Sequence, residues 1–143
     1  MVDKKVIEEG VKLILKGIGE DLKREGLRGT PERVADMYEE IFSGIEKDPS
    51  EVLHPIFDES HDEIIMVKNI PFYSVCEHHL VPFVGKAHIA YLPNENGKIV
   101  GLSKLTRVID VVAKRPQVQE RLTTIVADTI MKTINPKGVM VIV

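Results

Sequence analysis

Ile64-Ile65-Met66-Val67, continuing past Pro71 through Phe72, Tyr73 and Val75, is followed after a break at Cys76–Pro82 by Val84–Leu92. Both runs are rich in β-branched and aromatic residues, which predicts two strands joined by a loop that begins Cys76-Glu77-His78-His79. Asn94-Glu95-Asn96-Gly97 reads as a turn by composition. Toward the C-terminus the period changes. Leu105, Val108, Ile109 and Val112 form a helical stripe that Arg115-Pro116 ends. Val118, Leu122, Ile125, Val126 and Ile130 form a second, stopped by Asn135-Pro136-Lys137-Gly138, and Val139–Val143 begins another strand. Toward the N-terminus, residues 45–62 hold Asp48-Pro49-Ser50 and His54-Pro55 without a period, so they read as a connection. Before them Thr30 is the expected N-cap of a helix with Pro31 and Glu32 in its first turn. Its apolar face is Val34, Met37, Tyr38, Ile41 and Phe42, and Gly44 ends it. An earlier helix is marked by Ile7, Val11, Ile14, Ile18 and Leu22, weakened by Gly10, Gly17 and Gly19 and stopped at Gly26. Helix, helix, strand, strand, helix, helix, strand is an α+β order. The expected organisation is N-terminal helices over 1–47, a connection over 48–62, and a core over 63–143.

The composition bounds the function. A chain of 143 residues with 43% hydrophobic and 29% charged residues has the make-up of one folded domain rather than a disordered segment. A net charge of −3 argues against a general nucleic-acid or anionic-membrane binder. No apolar run approaches membrane-spanning length, and Met1-Val2-Asp3-Lys4-Lys5 does not resemble a signal peptide. The single cysteine, Cys76, excludes an internal disulfide and leads to the expectation of a reducing cytoplasm.

Three groups of residues could carry chemistry. Cys76 and His79 have the Cys-x-x-His spacing that lets a thiolate and an imidazole reach one zinc ion from a tight turn. The alternative is a buried small side chain beside ordinary loop histidines. His54, His61 and His88 offer no second motif for a third ligand. Next, Gly101-Leu102-Ser103-Lys104-Leu105-Thr106-Arg107 opens a helix, with Ser103 as the expected N-cap. Lys104 and Arg107 then sit at the positive end of a helix dipole, where cations are unfavourable unless an anion joins them. Free N–H groups, a hydroxyl, a lysine and an arginine describe a phosphate site; solvated side chains are the competing account. Residues 101–143 carry seven Lys/Arg against three Asp/Glu, and the first hundred residues carry a net −7, which favours an acidic small molecule toward the C-terminal half. Lastly, Gln119-Glu120 could bind a guanine-like edge, although a first-turn glutamate is also simply favourable with the dipole. Arg33 is one more surface arginine unless a neighbouring chain brings it to a phosphate.

Taken together the chain resembles the GTP cyclohydrolase I family. The matching stretches are Thr30-Pro31-Glu32-Arg33-Val34-Ala35-Asp36-Met37-Tyr38, Cys76-Glu77-His78-His79, Gly101-Leu102-Ser103-Lys104 and Arg115-Pro116-Gln117-Val118-Gln119-Glu120-Arg121-Leu122. Four motifs in order are far more specific than any one. The resemblance implies a tunnelling fold, an antiparallel sheet with two helices on one face. It also implies conversion of GTP and water to formate and 7,8-dihydroneopterin triphosphate, at the head of folate and pterin synthesis. Cys76 and His79 would then ligate Zn2+, with His78 as proton carrier. Gln119 and Glu120 would hold the guanine, Ser103, Lys104 and Arg107 the triphosphate, and Arg33 would reach in from a neighbouring subunit. A homodecamer of two pentameric rings, with active sites between subunits, is the implied assembly.

The family pattern continues beyond Val143, where it carries a second zinc-ligand cysteine and further pocket histidine and arginine. The chain is therefore expected to be a truncated enzyme or a degenerate relative lacking its last strands. Two zinc ligands of three imply weak or absent metal binding and little turnover. The alternative function is a non-catalytic, ring-forming, nucleotide-binding relative. A related enzyme acting on another pterin or purine would share Glu120 but has no need of a triphosphate cradle.

Overall fold

The computed structural model describes residues 2–59 and 61–143, and the chain divides into two units at Ser43/Gly44. In the first unit, α1 spans Lys4–Gly17 and α2 spans Thr30–Ile41. The Asp3 carboxylate caps α1 by accepting from the backbone N–H groups of Lys5 and Val6. The helical period continues to Leu22, but α1 stops at Gly17, and Gly19 follows with φ +85°, a left-handed backbone that glycine tolerates without cost. Gly29, not Thr30, occupies the cap position of α2, and Thr30 is its first helical residue.

The second unit contains β1 (Ile56–Asp58), β2 (Ile65–Cys76), β3 (Pro82–Leu92), β4 (Lys98–Val100), α3 (Leu102–Ala113), β5 (Pro116–Gln117), α4 (Gln119–Ile134) and β6 (Gly138–Ile142). One sheet has the order β5-β2-β3-β6. Its β2–β3 and β3–β6 pairs are antiparallel, while the two-residue β5 lies parallel to the end of β2. A bulge between Val67 and Ile70 shifts the β2 register, with Asn69 at φ +57°. A second, two-stranded sheet pairs β4 with β1, which lies inside the stretch that reads as a connection.

The helices and the sheet share one core. Leu105, Val108, Ile109 and Val112 of α3 and Leu122, Val126, Ile130 and Ile134 of α4 pack on Ile70, Ala87, Ile89 and Tyr91. The predicted α3 stripe is buried in full. In the α4 stripe, Ile125 is only partly buried, and Ile134 joins the core instead. The Tyr91 hydroxyl accepts the Val100 N–H at 3.1 Å, fixing β4 and the start of α3 over the sheet. Met66, Tyr73, Val84, Met140 and Ile142 remain exposed, Val84 at 80%. They alternate with the core residues along their strands, so they lie on the face that α3 and α4 leave open. This is an α+β tunnelling-fold arrangement, two helices on one face of a largely antiparallel sheet.

Candidate active site

The Cys76-Glu77-His78-His79 turn begins where β2 ends. Its backbone is closed on both sides: the Cys76 N–H donates to the Val81 carbonyl at 2.9 Å, and the Leu80 N–H returns to the Cys76 carbonyl at 2.8 Å. Leu80 takes φ +53° to complete this reversal. The turn brings Cys76 Sγ to 3.6 Å from His79 Nδ1. The His78 ring stands edge-on to that of His79, its centroid 6.3 Å away. Among the described residues, no third His, Cys, Asp or Glu joins the pair in a metal-holding group.

Two contacts fasten this turn to the start of α4. The Glu77 N–H donates to the Gln117 carbonyl at 3.1 Å, continuing the β2–β5 pairing by one residue. The Arg121 guanidinium then grips both Glu77 carboxylate oxygens, with Nη2 at 2.9 Å from Oε1 and Nη1 on Oε2. That hydrogen bonding holds the Glu77 carboxyl below the usual carboxylate range and raises the guanidinium further. Glu77 Oε1 also lies 3.8 Å from His78 Nε2. Gln119 and Glu120 occupy the first turn of α4, immediately before Arg121. The Gln119 side chain donates to the Val143 carbonyl at 3.3 Å.

Ser103, Lys104 and Arg107 are placed elsewhere. They lie in the first two turns of α3, which has no acidic residue in its first turn and no side-chain cap. Gly101, rather than Ser103, is the N-cap residue, which leaves the Ser103 hydroxyl outside the capping role predicted for it. The other end of α3 adjoins the metal-type turn, because the Ser74 hydroxyl donates to the Ala113 carbonyl at 2.7 Å, two residues before Cys76. Ser103 and Ala113 are separated by about 15 Å of helix. The structure therefore brings Cys76, His78, His79, Gln119 and Glu120 to one region of the chain and sets the basic group at the far end of α3. Arg33 belongs to the first unit, where its Nη2 donates at 3.1 Å both to the Gly26 carbonyl and to the Thr30 hydroxyl.

Sequence reasoning missed three supporting residues. Glu77 and Arg121 fall inside conspicuous motifs, but their pairing across forty-four positions has no local signature. Gln117 is fully buried, donating to the Val112 carbonyl and accepting from the Val118 N–H, both at 3.2 Å. Its position between Pro116 and Val118, amid charged and polar neighbours, gives no local hint of that role.

A sheet with paired helices on one face and a Cys-x-x-His turn at a strand end places this chain among the tunnelling-fold proteins. The GTP cyclohydrolase I family model matches residues 7–143, and the chain belongs to that family. It is 61% identical over all 143 residues to GTP cyclohydrolase 1 of Pelotomaculum thermopropionicum, covering 76% of that protein. The corresponding enzyme of Carboxydothermus hydrogenoformans is 59% identical over the whole chain, with 74% of its own length covered. That of Bacillus pumilus is 58% identical over 142 residues, which is 99% of this chain and 75% of the relative. Among the described residues, no helix is long and apolar enough to cross a membrane.

Proposed function

We propose that the chain acts as a zinc-dependent GTP cyclohydrolase I in the cytoplasm, converting GTP and water to formate and 7,8-dihydroneopterin triphosphate. The observation that carries this reading is the Cys76–His79 pair, set at 3.6 Å by a closed turn in a chain of this family. Zn–S and Zn–N bonds of about 2.3 and 2.0 Å at a tetrahedral angle require sulfur and nitrogen about 3.5 Å apart, so the pair fits the metal. When bound there, zinc would supply Lewis acidity and lower the pKa of an attacking water toward neutrality.

The chain's own residues have distinct tasks. His78, exposed beside the pair, carries protons during ring opening. Glu120 accepts from the N–H and amino group of the guanine edge, with Gln119 beside it completing the pocket. Ser103, Lys104 and Arg107 bind the triphosphate. Their side chains have no hydrogen-bond or ionic partner among the described residues, and the uncapped helix end favours an anion. Arg33 adds a further cation from another subunit.

The separation of the basic group from the metal-type turn along α3 supports sites assembled between copies. The sheet supports the same conclusion, since the face away from α3 and α4 carries exposed apolar side chains. The proposed assembly is a homodecamer of two pentameric rings.

In a chain that also carries the family's further zinc-ligand cysteine, incubation with GTP and zinc, followed by oxidation, is expected to yield fluorescent neopterin derivatives and formate in equal amounts, and the 143 residues alone only traces. The two-ligand count among the described residues favours a second reading, a non-catalytic nucleotide-binding ring. GTP binding without zinc uptake or product would select that reading, and absence of both binding and product would overturn the two together.

A further inference from the structure

We infer that Glu77 and Arg121 form a positioning pair, which locks the Cys76–His79 turn against the first turn of α4 and so holds the thiol, both histidines and Gln119-Glu120 in one frame. The roles named for those partners rest on the function proposed above; the clamp itself rests on geometry. The turn's internal hydrogen bonds fix its shape but not its tilt about the end of β2. Among the described residues, the Glu77–Arg121 contact is the only side-chain hydrogen bond or ion pair between residues 76–81 and α4. Two parallel N–H donors on two carboxylate oxygens set an angle as well as a distance, which a point-like ammonium cannot do. Glu77 is held at both ends, through its backbone N–H on the Gln117 carbonyl and through its carboxylate on Arg121. Its side chain is 28% exposed, the least solvated partner in the contact. The nearness of the same carboxylate to His78 Nε2 extends the clamp to the proton carrier.

Cys76 is the only thiol, so its alkylation by iodoacetamide, followed by mass spectrometry on the metal-free 143-residue protein, reports the turn directly. Glu77→Gln and Arg121→Met are each expected to speed alkylation by about three- to fivefold, the size that loss of an exposed ion pair permits. Their melting temperatures should stay near that of the parent. A purely electrostatic influence on the thiol would drive the two rates in opposite directions, since one change removes an anion and the other a cation. The exchanged pair, Glu77→Arg with Arg121→Glu, is expected to return the rate to within about twofold of the parent. Unchanged rates, rates that move in opposite directions, or an exchange that restores nothing would each overturn the clamp. In the GTP assay, run on a chain that also carries the family's further zinc-ligand cysteine, the single variants should lower kcat while KM holds. A parent without turnover would remove the proposed function and leave the alkylation result to decide the clamp.

Discussion

Alanine at position 44 is expected to lower the melting temperature by about 10 °C, corresponding to a loss of about 3 kcal/mol. Gly44 ends the apolar period of α2 in the sequence, yet its structural role is close approach. A Cβ there would overlap the Val111 carbonyl oxygen and lie 2.9 Å from that of Lys114. Both are backbone atoms at the end of α3, so neither can turn aside as a side-chain tip would. The Gly44 N–H is also committed to the Lys114 carbonyl at 2.9 Å. Its carbonyl accepts from Arg115 Nη2 at 2.6 Å, and Lys47 supplies a second acceptor at 3.3 Å. Burial pushes the Arg115 guanidinium pKa down, and its Nε is already buried without a hydrogen-bond partner. Displacing Gly44 would therefore add the loss of an acceptor to the steric overlap. Thermal denaturation followed by circular dichroism checks this, and a fall smaller than about 2 °C would sink it.

Leucine at position 117 is expected to cost about 3 kcal/mol, although it nearly matches glutamine in volume. Gln117 is buried and spends both ends of its amide on backbone. Its Nε2 satisfies the Val112 carbonyl in the last turn of α3, one of the groups a helix end leaves without an internal partner. Its Oε1 accepts the N–H of Val118, the cap residue of α4. Leucine would leave the buried Val112 carbonyl and the half-buried Val118 N–H unpaired, at up to about 1–3 kcal/mol each. Glutamate would do no better, since a carboxylate cannot donate to the Val112 carbonyl. Urea denaturation should show a lower midpoint with an unchanged slope, the mark of lost stability without altered compactness. A change below about 0.5 kcal/mol would contradict the account, placing the substitution among ordinary surface changes.

The parts of the fold that were legible are those whose signal repeats along the chain. The α3 stripe and the two apolar runs of β2 and β3 each present several residues at one period, and each became an element with boundaries close to those expected. β1, β4 and β5 have three, three and two residues, too few for any period, and they exist only through partners distant in sequence. The parallel β5 is an example: Pro116 reads as a helix stop, and only pairing with Val75 makes it strand. At the candidate site, the Cys-x-x-His spacing was readable because both groups come from one turn. Ser103 shows the converse. It is a good capping type that falls two residues past the cap position, which Gly101 at φ −57° and ψ 139° takes instead. The interactions of Arg33 were also invisible, because its side chain folds back on the residues leading into α2.

The length of α3 has a genetic consequence. With the basic group at its start and the metal-type turn beyond its end, each copy contributes the two halves to different sites in the proposed ring. A protein altered at Lys104 and another altered at Cys76 would each be inactive alone. Co-expressed in one cell, they are expected to assemble mixed rings in which an intact phosphate half meets an intact metal half. The two defective alleles would then complement each other, detectable as neopterin formation that neither strain shows by itself. Sites contained within single copies would give no such rescue.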